Sequence, residues 1–277
     1  MSQINKDNRK TPPHACIDYD LGRHQLHESV RHAIKENPSN NPARKGTPEH
    51  KALAKVLANP RAKLTPQEAG HVQRMAIVTK KMWGSGRTLT IAFLDGSATQ
   101  KTKVKAHALK WTKLANIKFK FVRGKKATIR ISFVADDGSW STIGTDANTV
   151  PSNEPSMNFG WLRDDTAENE YERVVVHEFG HALGCIHEHQ NPAGGIKWNK
   201  PVVYKYYQGP PNNWSKADVD SNLFAKYSAN QTQFTKLDPR SIMMYPIPKE
   251  FTLDGFEVGL NTTVSATDKS FIKKEYQ

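Results

Sequence analysis

Cysteine is nearly absent from this chain. Cys16 and Cys185 are the only two in 277 residues, which excludes a disulfide framework and leaves the compartment open. Long apolar runs are missing as well. Nothing approaches the ~18 to 20 apolar residues of a membrane span, so no spanning helix is expected. Met1 to Lys10 is polar and basic with no apolar stretch behind it, so no secretory signal is visible. Export by a signal-independent route, or as a processed form, stays open. Acidic residues are missing altogether between Gly96 and Ala135, although Lys and Arg are frequent there and the formal net charge is +13. Such a run, Lys101 to Arg130, can steer a protein to polyanions such as nucleic acid or anionic glycans. The plainer reading is a solvated face that keeps an amphipathic helix in water.

What is present divides the chain in two. Residues 1–20 read as a solvated tail broken at Thr11-Pro12-Pro13. Leu26, Val30, Ala33 and Ile34 then fall at helical spacing until Asn37-Pro38 stops them. Thr47-Pro48 opens a second helix with Leu53, Val56 and Leu57 on one face, and the capping box Thr65-Pro66-Gln67-Glu68 opens a third, carrying Val72, Met75 and Ala76 to about Lys81. From Trp83 the pattern becomes that of an α+β domain. Strands are expected at Thr88 to Phe93, at Ile117, Phe119 and Phe121, and at Ile129, Ile131 and Phe133, with a helix over Thr99 to Ala115. Asp165 with Glu168 is expected to cap the next helix. Beyond it the chain is mostly irregular, with short helices at Pro201 to Gln208 and Lys216 to Phe224 and a last one capped by Ser265 and Asp268. The expected division is 1–81, a tail and helical segment, and 82–277, the domain that carries the chemistry.

That chemistry lies between His177 and Glu188, which read His-Glu-Phe-Gly-His-Ala-Leu-Gly-Cys-Ile-His-Glu. His177 and His181 are one helical turn apart and can share one metal ion. Glu178 beside them can reach a zinc-activated water without ligating the metal, as a general base must. Gly184 can take positive φ, end the helix, and let His187 return as a third ligand. Three protein ligands leave a position open, which separates a catalytic zinc from a closed structural one. A bare H-E-x-x-H arises by chance in on the order of one chain in a hundred of this length, and the added Gly and His lower that rate several hundredfold. Cys185 inside the motif reads as a small buried apolar residue.

The run His177 to His187 resembles the zinc signature H-E-x-x-H-x-x-G-x-x-H of the metzincin metalloproteases. Ser241-Ile242-Met243-Met244-Tyr245 resembles the clan's Met-turn. Glu188 directly after the third His, with a Ser-x-Met-x-Tyr turn, is most similar to the astacin family. Gly138 to Gly144 resembles its Gly-x-Trp-Ser-x-x-Gly segment, and Val264 to Tyr276 its terminal helix. The resemblance covers about residues 83 to 277. Departures are Met244 where the family usually has His, no Arg shortly after Glu188, and no set of four cysteines.

The resemblance implies a metzincin-like fold, a mixed twisted sheet with a zinc-bearing helix, and a hydrolase: a zinc endopeptidase acting on proteins or peptides. It implies Zn2+ on His177, His181 and His187, with Glu178 as the base. It also implies Tyr245 as a transition-state donor, Met243 as the floor beneath the metal, and Ser156, Met157, Asn158 and Phe159 as the edge strand that pairs with substrate. The rival reading is a non-enzymatic polyanion-binding protein whose structural zinc takes His189 as fourth ligand. For residues 1–81 the sequence favours an extension that packs on the catalytic domain, so that its removal lowers stability and unmasks no activity. The family's Phe-x-Gly-Asp inhibitory motif is not recognisable, and although Cys16 could ligate zinc as a thiolate, its neighbours do not match the matrixin motif that does so.

Overall fold

A computed structural model describes Cys16 and residues 25–277, except 125, 136, 211 and 228–235, and describes 73–78 by backbone alone. The tail expected over residues 1–20 therefore lies outside the described residues apart from Cys16, as do the expected side-chain roles of Met75 and Ala76.

Three helices come first: α1 (Leu26–Glu36), α2 (Pro48–Ala58) and α3 (Pro66–Val78). Thr47 Oγ1 caps α2 by accepting from His50 N, and Thr65 and Glu68 form the expected reciprocal box on α3. Their apolar faces meet in a small core of Val30, Ile34, Leu53, Val56 and Val72. Polar groups tie this bundle to the rest of the chain. Ser29 Oγ donates to the Asp146 carboxylate at 2.6 Å, and Asn40 Nδ2 donates to Met82 O at 2.8 Å. Burial pushes the Asp146 carboxyl up, with Lys81 and Ser29 pulling the other way.

The larger unit is built on five strands: β1 (Thr88–Phe93), then after α4 (Ala98–Thr112) β2 (Lys118–Phe121), β3 (Ile129–Ser132), β4 (Ser139–Ser141) and β5 (Met157–Phe159). Their order is β2-β1-β3-β5-β4, with β4 antiparallel on a sheet otherwise parallel. This is the expected mixed sheet. One expectation fails here: Ser156 to Phe159 is not an edge. Met157 to Phe159 is hydrogen-bonded on both sides, to β3 and to β4, and all four residues are buried. The edge on that side is β4, because the chain leaves β3, makes the antiparallel strand outermost and returns into the gap.

The long helix α5 (Glu168–Ala182) lies against α4, where Trp111 Nε1 donates to Val176 O at 2.9 Å. Its start also differs from expectation. Ala167 occupies the cap with no side-chain bond, and Glu168 turns instead to His107 Nε2 at 2.7 Å. At its other end, Trp83 Nε1 donates to Ala182 O at 2.8 Å and Tyr276 OH to Leu183 O at 2.6 Å. These bonds satisfy carbonyls that a helix end leaves open. The remainder carries α6 (Lys200–Tyr207), the short α7 (Lys216–Val219) and α8 (Ala266–Glu275) among irregular segments, as expected.

Candidate active site

Helical spacing puts His177 and His181 on one face of α5. Gly184, at φ +94°, then turns the chain back, and an added Cβ there would meet Met82 Sδ at 2.6 Å. The turn returns His187 to the same point. The three Nε2 atoms form a triangle with 3.1 Å sides. They are not hydrogen-bonded to one another in any ordinary sense. His177 Nδ1 lies 2.7 Å from Ile242 O and His181 Nδ1 lies 2.9 Å from Cys185 O, so each of these Nδ1 atoms carries the proton and its Nε2 presents a lone pair. Burial, and the neighbouring histidines, hold His177 and His187 well below the usual imidazole range. Converging lone pairs on neutral, buried rings repel unless a cation joins them. Three nitrogens at this spacing can all lie about 2.0–2.1 Å from one ion, the length of a zinc–imidazole bond. The donor set therefore fits Zn2+ on His177, His181 and His187.

Glu178 is fully buried beside them. Its carboxylate, His177 and the thiol of Cys16 bring their donor atoms within 4.8 Å of one another. Cys16 reaches this point from far outside the motif, and its thiol lies beside the Glu178 carboxylate. Burial, then the Glu178 charge, pushes that thiol well up, while the Arg173 guanidinium pulls it down. Tyr245 is also buried, with its ring 4.4 Å from that of His187, and its hydroxyl donates to the carbonyl of Cys16.

The turn from Ser241 to Tyr245 is held in place by the cap of α8. Asp268, whose side chain closes the box with Ser265, also accepts from Ser241 Oγ at 2.6 Å and from Ile242 N at 2.8 Å. Met243 N donates to Ser241 Oγ at 3.0 Å, and Met243 O accepts from Glu188 N at 3.0 Å. Met243 Sδ occupies the space that a side chain at Gly180 would fill, so an added Cβ there would overlap it. The methionine thus packs on the zinc helix because position 180 has no side chain. Glu188 is buried too. Desolvation raises its carboxyl to about 7, against the bonds it accepts from Asp238 N and Asn191.

His189 does not join the three histidines. Its Nε2 lies 2.7 Å from Asn222 O, so the fourth ligand of the structural-zinc reading is turned away. Arg130 also leaves its expected role. It is buried, and donates to Glu154 O at 2.7 Å, Ala127 O at 2.9 Å and Val150 O at 3.1 Å, holding the loop that leads into β5. Two residues near the metal site had been given no part in it by sequence reasoning. One is Arg173, on the histidine face of α5; the other is Asp268, read as a helix cap within the segment that resembles the family's terminal helix.

The family model of the Astacin peptidases matches residues 76–277. Among curated proteins none matches. Two solved structures of myroilysin are similar to the chain at 49% identity, each covering 71% of it. One matches over 95% of its own length with a TM-score of 0.69, the other over 86% with a TM-score of 0.56. A family match over well more than half of the chain, on a site whose three histidines converge as a zinc centre requires, means that the chain belongs to the astacin family of zinc metalloproteases.

Proposed function

We propose that the chain hydrolyses internal peptide bonds of proteins, with Glu178 as general base, and that the full chain is a latent form. Carrying the first part is the buried Glu178 carboxylate, one residue from His177 and within 4.8 Å of one of its ring nitrogens. Bound zinc would lower the pKa of a water and polarise the scissile carbonyl. Glu178 accepts the proton of the attacking water and passes it to the leaving amine. Tyr245 donates its hydroxyl to the oxyanion as it forms. Met243 packs beneath the histidines and fixes their helix through the missing side chain at position 180. Asp268 holds the turn whose Ile242 carbonyl sets the tautomer of His177. Extended substrate would add to the sheet along β4, the edge beside β5.

Latency rests on Cys16. Its thiol lies beside the Glu178 carboxylate, and its carbonyl takes the Tyr245 hydroxyl, so one residue of the N-terminal segment covers both groups assigned to catalysis. A thiolate is a strong zinc donor, and Cys16 lies within 4.8 Å of a ring nitrogen of His177, so that a shift toward His181 and His187 would complete the ligand set. Residues 1–81 are then an inhibitory pro-segment and 82–277 the catalytic domain. This reverses the expectation from sequence, which had no way to place Cys16.

Two experiments test the two parts. In the Cys16→Ser chain, Glu178→Gln is expected to keep one zinc and to lose nearly all casein cleavage, because the ligands remain while the proton acceptor is neutral. Loss of the metal, or retention of most activity, would show that Glu178 is structural. The cobalt-substituted full chain is expected to show a thiolate-to-metal charge-transfer band that Cys16→Ser removes. Identical spectra for the two chains would end the latch proposal, whatever their activity.

A further inference from the structure

Three rings meet beside the metal triangle. Tyr245 lies 4.4 Å from His187 and 4.4 Å from His189, centroid to centroid, and the two histidines lie 5.2 Å apart. Tyr245 and His189 pack face against face, with their planes 34° apart, whereas His187 meets Tyr245 edge-on at 66°. A metal ligand is fixed by its metal; His189 is buried without that reason. Its Nε2 lies 2.7 Å from Asn222 O, and because a carbonyl only accepts, Nε2 carries the proton and donates it. That carbonyl comes from a rare kind of turn. Asp220–Phe224 is π-helical, with Ala225 N donating to Asp220 O at 2.8 Å, and such turns occur often at functional sites. Its last carbonyls are taken by consecutive side chains of the segment after the zinc motif: Gln190 Nε2 donates to Ser221 O at 2.9 Å, and His189 Nε2 to Asn222 O. Trp198 stands edge-on to His189 at 6.4 Å, and Phe224, the end of the turn, edge-on to Trp198 at 5.7 Å.

We propose that His189 is a positioning residue for Tyr245: anchored on the π-helical turn, its ring sets the direction of the Tyr245 hydroxyl, so that the hydroxyl meets the oxyanion once Cys16 has left. This role rests on the part given to Tyr245 in the endopeptidase reading. A histidine that merely satisfied a buried carbonyl would have no need to lay its face on a neighbour. His189 lays it on the ring whose angle governs the reaction. The Tyr245 hydroxyl sits at the far end of a side chain that turns about two bonds, so a small tilt of the ring moves the oxygen out of hydrogen-bond range. The edge contact with His187 restrains one direction of tilt, and the face contact with His189 restrains the other. A face that could itself slide would restrain nothing, and the bond to Asn222 O prevents the slide. Phenylalanine at 189 would keep the face without the tether; glutamine would keep the tether without the face. Misplacing a reacting group by about 1 Å can cost up to about a hundredfold in rate, so loss of either element is expected to cost about tenfold.

His189→Phe and His189→Gln are made in the zinc-loaded full chain carrying Cys16→Ser, with Tyr245 intact and again with Tyr245→Phe. With Tyr245 intact, each should lower kcat on a peptide by about tenfold, change KM by no more than about twofold, and keep one zinc. In the Tyr245→Phe background the same substitutions should cost no more than about twofold, because no hydroxyl is left to aim. A role in folding alone would give the same loss in both backgrounds. Glutamine guards against misfolding from an orphaned Asn222 carbonyl, since it still offers that carbonyl a donor. Fluorine NMR of the chains made with 3-fluorotyrosine reads the ring without turnover: the resonance that Tyr245→Phe removes belongs to Tyr245, and it should shift or split in both His189 variants. An unchanged kcat in both variants, an equal loss with and without the Tyr245 hydroxyl, or a Tyr245 resonance that neither variant moves overturns the assignment. If no peptide is cleaved by any of these chains, it is the endopeptidase reading that fails, and the resonance still decides whether His189 fixes the Tyr245 ring.

Discussion

Removing the Asp268 carboxylate should loosen the metal site from a distance, without touching any ligand. Its two oxygens serve three donors: Ser241 Oγ at 2.6 Å, Ile242 N at 2.8 Å and Ser265 N at 2.9 Å. The last belongs to the cap of α8, and loss of a cap costs about 1 kcal/mol. The first two bind the Met-turn, and hydrogen bonds to a charged group contribute about 1.5–3 kcal/mol each. Because Asp268 is half-buried, water can recover part of that. Asp268→Ala should therefore cost about 3–5 kcal/mol, a large share of the roughly 5–15 kcal/mol that holds a typical protein folded. Asp268→Asn keeps one oxygen for Ile242 N and Ser265 N, and Ser241 can turn its hydroxyl to accept from the new amide. It should cost only about 1–2 kcal/mol, the loss of charge assistance. Since Ile242 O bonds His177 Nδ1 at 2.7 Å, zinc affinity should fall by about ten- to a hundredfold in the Ala form. Urea unfolding of the zinc-loaded full chain and competition against a metal chelator measure the two effects. An Ala form within about 1 kcal/mol of the parent would refute this view of how the turn is held; so would one no worse than Asn.

Single contacts give further expectations. Tyr245→Phe should fold and keep zinc but lose on the order of a hundredfold in kcat, the scale of one oxyanion donor, and near-normal turnover in the Cys16→Ser background would remove Tyr245 from the mechanism. Heparin binding at low salt, weakened as salt rises, is expected if the exposed Lys105, Lys113, Lys118, Lys120, Arg123 and Lys126 form a docking face. Arg130, being internal, should make no difference to it. No measurable binding would leave these lysines as solvating charges.

What could be read from the sequence was local. The zinc histidines, Glu178 and Gly184 lie in one short run of chain, so helical spacing and one turn determine their geometry. The capping boxes at Thr65 and Ser265 were legible for the same reason, since each is completed within one helical turn. Long-range pairing was not legible. Ser156 to Phe159 looked like an edge because an isolated short strand carries no mark of how many neighbours it has, and β4 took the edge instead. Cys16 lies far before His177 in the chain, among residues that match no known zinc motif. Arg173 looked like one more charge on a helix beside Glu170 and Glu172, and only its burial and its place on the histidine face distinguish it. Of the lysines read as one basic face, Lys110 pairs with Glu172 at 2.5 Å and Lys103 lies over the Tyr171 ring at 4.5 Å. A composition count could not separate these from the exposed ones.

Whether this site cuts proteins once Cys16 no longer engages it is the central question. Casein cleavage by the zinc-loaded full chain with Cys16→Ser, measured beside the unaltered chain and again after zinc is removed by a chelator, tests that most directly. The expected result is cleavage by the Cys16→Ser chain well above that of the unaltered chain, abolished by the chelator and restored by Zn2+. A zinc-loaded Cys16→Ser chain that leaves casein intact, or cleaves it equally well with the metal removed, would contradict both the assigned activity and the latch.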